Sequence, residues 1–331
     1  MRKLIAVIIL LPLLWSGYWF AGSYGLKSGI DVWLTDRRGD GWQVEYQDIS
    51  VKGFPNRFDT EFEQIQLADP DTGVSWEAPF FQLLALSYKP NHLIAVWPNS
   101  QVLATPYQKI DVTSEDMKAS IVVEPNPEMT VQRGTLIAEN IGFASTSDWD
   151  FDVDAISMSL RQIDATEYGF SILANNLHPS ENLRMWVSDN QNLPAFIENV
   201  SIDFEADLTK PFDRSTIEQT RPQVKTLKIS KASASWGELL LRASGTLGVS
   251  SKGTLSGELT LNAKNWREML QVATSAGAIS AEVAAAAELG LGLFARLNGS
   301  EKTLDTTLTF SNGRMSMGPI PLGKAPRLVI R

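Results

Sequence analysis

The chain has 331 residues, 44% of them hydrophobic and 20% charged, with a formal net charge of −9 and no cysteine. The acidic balance excludes long-range attraction to nucleic acid or to an anionic lipid surface. The lack of cysteine excludes disulfides and a cysteine-linked lipid anchor, so stability has to come from the core.

In chain order, Arg2 and Lys3 precede an apolar run from Leu4 to Ala21 that includes Leu14 and ends in Trp15, Tyr18, Trp19 and Phe20. A helix that crosses hydrocarbon needs about 20 mostly apolar residues, with its basic end in the cytoplasm and aromatic rings at headgroup depth. Residues 1–40 are therefore expected to form a transmembrane anchor and stalk, with the chain after about residue 25 exported across the membrane. Ala21-Gly22-Ser23 also reads as a small-x-small cleavage site, so removal of the helix stays open. Against removal, Leu26, Ile30, Trp33 and Leu34 recur at helical spacing, so the helix is expected to continue as an amphipathic stalk.

Residues 41–176 read as strand after strand, a first β segment. The turn Gly53-Phe54-Pro55-Asn56 precedes a run in which Phe58, Thr60, Phe62 and Gln64 are expected on one face, with Asp59, Glu61 and Glu63 on the other. Residues 177–222, punctuated by Pro179, Pro194, Pro211 and Pro222, read as an irregular connection, although Ser201 to Leu208 alternates again. Residues 223–331 form a second β segment with helices expected at about 265–276 and 280–295. Asn265 with Glu268 suggests a capped helix start, and Asn312-Gly313 between alternating runs suggests a tight hairpin. The Ala-rich run 281–289 falls short of a membrane span and is expected to pack on a sheet.

Chemistry is sparsely signalled. The two histidines, His92 and His178, are far apart with no metal-ligand spacing, and no nucleophile elbow, Walker loop or dinucleotide fingerprint occurs. The sequence thus predicts no enzyme, no cofactor and no catalytic residue. Asp148, Asp150, Asp152 and Asp154 alternate with apolar residues and form a weak calcium candidate. A solvated strand face is the favoured reading, because calcium ligands converge from a bent loop.

The residues Gly53, Phe54, Pro55, Arg57 and Phe58 resemble the G-F-P-x-R-F signature of a bacterial envelope family known as a domain of unknown function (DUF2125-like). More loosely, Trp236-Gly237 through Gly245, Gly253 through Leu259, and Asn312 through Leu322 resemble the AsmA-like group. That resemblance implies a single N-terminal span in the inner membrane and a long β half-pipe with an apolar inner face. It also implies a role in outer-membrane assembly or lipid movement. The fold expected is mainly β: a transmembrane helix, extended antiparallel sheets and two short helices near the C-terminus. The partners expected are the membrane through the N-terminal helix, a lipid ligand along an apolar groove, or an envelope protein for which the chain is a scaffold, with no nucleic acid.

Overall fold

The structure, a computed structural model, describes residues 1–180, 185, 193–277, 279–297, 302–318 and 320–330. It is mainly β, and the chain divides into two compact units. The first comprises Met1–Pro125 with Gly134–Trp149, the second Asn126–Arg133 with Asp150–Arg331.

The first unit opens with a helix, α1 (Arg2–Gly39). The strands that follow are β1 (Gln43–Glu45), β2 (Asp48–Lys52), β3 (Arg57–Asp69), β4 (Val74–Leu86), β5 (Lys89–Val96), β6 (Ser100–Ala104), β7 (Lys109–Thr113), β8 (Asp116–Val123) and β9 (Val131–Ser145). All pairings are antiparallel, and β3 is the hub: it pairs with β1 and β2 along one edge and with β4 along the other. The expected stalk is present. Leu34 is 1% exposed and packs with Val44, Ile49, Phe62 and Ile65, with Ile30 and Trp33 alongside. Helical spacing of these apolar residues thus lays the last turns of α1 on the sheet.

One detail of β3 differs from the alternation expected. Phe58, Thr60 and Phe62 are buried, but Gln64 is exposed and Ile65 is buried in its stead. Gln64 takes a φ of +52°, a left-handed conformation inside a strand, and this moves the buried series onto the odd positions.

The second unit is a meander. Its elements are β10 (Asp150–Gln162), β11 (Glu167–Pro179), β12 (Ile197–Leu208), a short α2 (Ser215–Glu218), β13 (Val224–Trp236), β14 (Leu239–Val249), β15 (Leu255–Lys264), α3 (Trp266–Ser275), α4 (Ala281–Leu297), β16 (Thr303–Ser311), β17 (Arg314–Met317) and β18 (Ile320–Lys324). From β10 to β18, each strand pairs antiparallel with the next. The stretch 177–222, expected to be an irregular connection, contains the twelve-residue β12, which pairs on both sides. The division falls earlier, around 125–150, because β10 and β11 pair onward into β12 rather than ending a first segment. The prolines mark strand ends and loops within the meander.

Two local readings resolve differently at the helices and the last hairpin. Asn265 does stand at the start of α3, but its side chain donates to the Glu238 carbonyl instead of capping, and its φ is +57°. Asn312 and Gly313 have φ of +53° and +71° between β16 and β17, the geometry of a type I′ turn. The Ala-rich α4 packs on the sheet as expected, with Ala287 and Leu291 buried beside Ala263, Trp266 and Leu304.

Close backbone approach sets one requirement. Gly245 in β14 has a φ of +153°, and a Cβ there would collide with the Glu258 carbonyl of β15. Strain of this kind costs about 1–3 kcal/mol. Gly245→Ala is accordingly expected to lower the denaturant midpoint of the full chain, followed by far-UV circular dichroism, while an exposed substitution such as Lys252→Ala leaves it unchanged.

Candidate functional site

Two features of the structure carry functional content, one in each unit. In the first unit, the aromatic end of α1 meets the loop before β3. From Leu4 to Leu14 the apolar side chains of α1 are exposed, whereas Trp19 is 6% exposed. The Trp19 indole N–H donates to the Arg57 carbonyl at 2.7 Å, and the Trp15 indole N–H to the Pro55 carbonyl at 3.0 Å. The Tyr18 hydroxyl donates to the carbonyl of Ser87, a residue that is itself fully buried beside the loop. Ser87 is tied in turn through its N–H to the Asn56 carbonyl at 2.9 Å.

Rings complete the clasp. Trp19 lies edge-on to Phe54 at 5.4 Å and tilted against Phe58 at 6.0 Å, and Phe20 stacks on Phe54 at 5.5 Å. Such pairs add about 0.5–1.5 kcal/mol each beyond the area they bury. Gly22 lets the helix approach: a Cβ there would stand 2.6 Å from the Phe58 ring. Gly53, with a φ of +99°, opens the loop, and its N-terminal position lets Asn56 and Arg57 return their N–H groups to its carbonyl. The loop also contains the cis peptide between Phe54 and Pro55. Arg57 pairs with Asp59 across the strand start. The G-F-P-x-R-F residues therefore act together as a socket for the helix.

In the second unit, the strand register sorts side chains onto two unlike faces. Met158, Ile172, Ile202, Ala232, Ala243 and Leu261 are successive cross-strand neighbours. So are Leu160, Phe170, Phe204, Ile229, Gly245, Leu259 and Leu308. On the other face the same strands align Arg161, Gly169, Glu205, Lys228, Thr246, Glu258 and Thr309. The polar face carries the ion pair Lys228–Glu205 at 2.8 Å.

The apolar face is covered at its ends. Phe212 seats against Tyr168 and Leu208, and Ala325 and Leu328 pack on Leu247, Leu255 and Phe310. At the opposite ends of the strands, α3 and α4 cover Trp236, Leu239, Ala263 and Leu304. Between these covers the rows are half-exposed, with Met158 and Leu241 each at 41%. The Phe170 and Phe204 rings stack at 4.7 Å within this middle band.

The acidic series is spread along a strand rather than gathered in a bent loop. Asp148 lies in a turn with a φ of +58°, while Asp150, Asp152 and Asp154 alternate along β10. Asp154 accepts hydrogen bonds from Asn176 at 2.9 Å and His178 at 3.0 Å, which hold its carboxyl below the usual range, the Asn176 bond most strongly. Among the described residues no group of three or more His, Cys, Asp or Glu is placed to hold a metal. The other histidine, His92, meets the Ser120 hydroxyl at 2.8 Å.

Sequence reasoning named the anchor aromatics and the signature residues separately but missed that they are partners; it read Gly22 only as part of a cleavage site and did not single out Ser87. Nothing local in the sequence links positions some 35–70 apart.

Together these features define a β-sheet protein with an N-terminal helix apolar enough to span a membrane, fastened by its aromatic end to the sheet it carries. The chain belongs to the family described as "uncharacterized protein conserved in bacteria" (DUF2125), which it matches over residues 19–326. No curated protein and no solved structure gives a significant match.

Two outcomes are expected from this geometry. Trp19→Ala removes a buried ring and its hydrogen bond, so it should destabilise the full chain in detergent micelles by about 3 kcal/mol. Phe20→Ala, at an exposed ring, should cost less than about 1.5 kcal/mol in the same denaturation measurement. Separately, Asn176→Ala should raise the Asp154 pKa toward the ordinary carboxylate range, read by NMR titration. Because the folded-state pKa is the depressed one, the stabilisation is present above the unfolded carboxylate pKa and is lost as pH falls through the folded value.

Proposed function

We propose that the chain is a non-catalytic protein of the bacterial cell envelope. In this reading α1 holds it in the inner membrane by a single pass, and the periplasmic second unit accepts lipid acyl chains on the apolar face of its sheet. Retention of the helix is supported by the clasp: cleavage after Ser23 would remove Trp15, Tyr18 and Trp19 from their partners Pro55, Ser87 and Arg57. A signal peptide has no such use for its last turns.

The observation that carries the lipid reading is the half-exposed apolar band of β10–β16. A run of in-register aliphatic and aromatic side chains, backed by a polar face and covered only at its ends, leaves hydrocarbon surface that water wets at a cost. An acyl chain laid along it gains about 0.8 kcal/mol for each buried CH₂. The AsmA-like resemblance of the closing strands points the same way, by analogy of fold.

The test uses the purified full chain and a diacyl phospholipid with a photoactivatable acyl tail. Crosslinks are expected on peptides from β11 and β12 around Ile172 and Ile202. Ile202→Asp, on the apolar face, should lower capture about tenfold, the equivalent of about 1.4 kcal/mol. Glu205→Gln, on the polar face, should leave capture unchanged. Labelling spread evenly over both faces, or unaffected by Ile202→Asp, would overturn the reading.

A further inference from the structure

The clasp has a consequence for where the sheet of the first unit meets the membrane. A span of about 20 residues at 1.5 Å per residue, begun at Leu4, leaves the hydrocarbon near Ser23. Every helix residue that touches the signature loop lies before that point: Trp15 on Pro55, Trp19 on Arg57, Phe20 on Phe54, and Gly22 facing Phe58. Phe54, seated on Trp19 and Phe20, therefore lies about 5–6 Å from that exit, at the outer margin of the bilayer.

The surface around the contact has the composition that such a depth demands. Phe54 is 51% exposed, Phe20 61%, and Tyr88, in the turn joining β4 to β5, 64%. Leu86, the cross-strand neighbour of Arg57, is 38% exposed. Aromatic rings with one wet and one dry side are enriched at headgroup depth, and long basic side chains reach out from there to water and phosphate. Lys52, Lys89 and Arg57, the last paired with Asp59, are exposed cations at this end of the sheet. The carbonyls of Pro55, Arg57 and Ser87 are satisfied by the two indoles and the tyrosine hydroxyl of α1, which is what a loop leaving water requires.

We infer that the loop Gly53–Phe58 and the turn at Ser87-Tyr88 are embedded in the lipid interface at which α1 leaves the bilayer, with Phe54 and Tyr88 as the inserted side chains. The first unit is then seated in the membrane surface rather than tethered above it, and the rigid stalk continues from that seat. This rests on the anchor reading of α1, and the experiment separates the two.

The chain has no native cysteine, so single cysteines can be labelled cleanly. Leu10→Cys, Phe54→Cys, Tyr88→Cys and Asp71→Cys would each carry an environment-sensitive fluorophore. The full chains are reconstituted into phosphatidylcholine–phosphatidylglycerol vesicles that contain nitroxide lipids. Asp71 lies beyond the far end of β3, roughly 40 Å along the strand from the loop, and reports solvent. Position 10 should be quenched by a nitroxide deep in the acyl chain. Positions 54 and 88 should lose more than about half their emission to a shallow nitroxide at headgroup depth, and position 71 should be unaffected. Tyr88 takes no part in the clasp's ring contacts, so its label reports even where Phe54→Cys loosens the loop. If position 10 is quenched while 54 and 88 behave like 71, the embedding is wrong and the anchor stands. If position 10 escapes quenching as well, the anchor reading fails with it.

Discussion

An indole N–H and a backbone carbonyl that leave water together have to satisfy one another, and the first unit is arranged around that requirement. The Trp19–Arg57 bond joins a helix residue to the start of β3, the hub strand of its sheet. Once it forms, Phe54 and Phe58 can close on Trp19 from two sides, and Gly22 permits the approach. From there α1 runs along the sheet until Leu34 reaches Ile49, Phe62 and Ile65. The helix is thus held at two places, by hydrogen bonds and rings at one and by aliphatic packing at the other. An apolar helix fixed in this way behaves as part of the sheet's core on one side while remaining bare on its first turns.

Much of the strand pattern was legible in the sequence because a half-buried strand writes its environment at every second position. The exceptions share a cause: conformations that the alternation does not encode. At Gln64 one left-handed residue moves burial from the even to the odd positions, and glutamine gives no warning of it. In β13 a register shift between Ile229 and Ala232 leaves one strand with two phases of alternation. At Asn265 the identity typical of a cap is present, but the amide is drawn to the Glu238 carbonyl by a tertiary contact. The clasp itself was hidden for a different reason. Each half is visible as a motif, whereas the contact between them depends on where the chain returns.

The faces of the second unit show how little has to be specified locally to produce a large one-sided surface. Each strand needs only its own alternation. The register of successive antiparallel pairs, with a shift at Asp203/Phe204 between β12 and β13, then brings Met158, Ile172 and Ile202 into one row and Arg161, Glu205 and Lys228 into another on the opposite side. A single-residue slip anywhere would mix the rows. Gly245 and Gly257 help to prevent it, since each has a positive φ at a place where the β14–β15 backbones approach too closely for a side chain. The local cost of these glycines in conformational entropy is offset by the register they enforce.

A sheet with a half-exposed apolar face invites association, and the second unit counters this where pairing would begin. Pro321 in β18 cannot donate to a further strand, and Lys324 places a cation at the strand's end. On β10, Asp150, Asp152 and Asp154 occupy alternate positions along the strand. Apolar area is therefore left open in the middle band, while the outer edge of β18 is blunted against pairing.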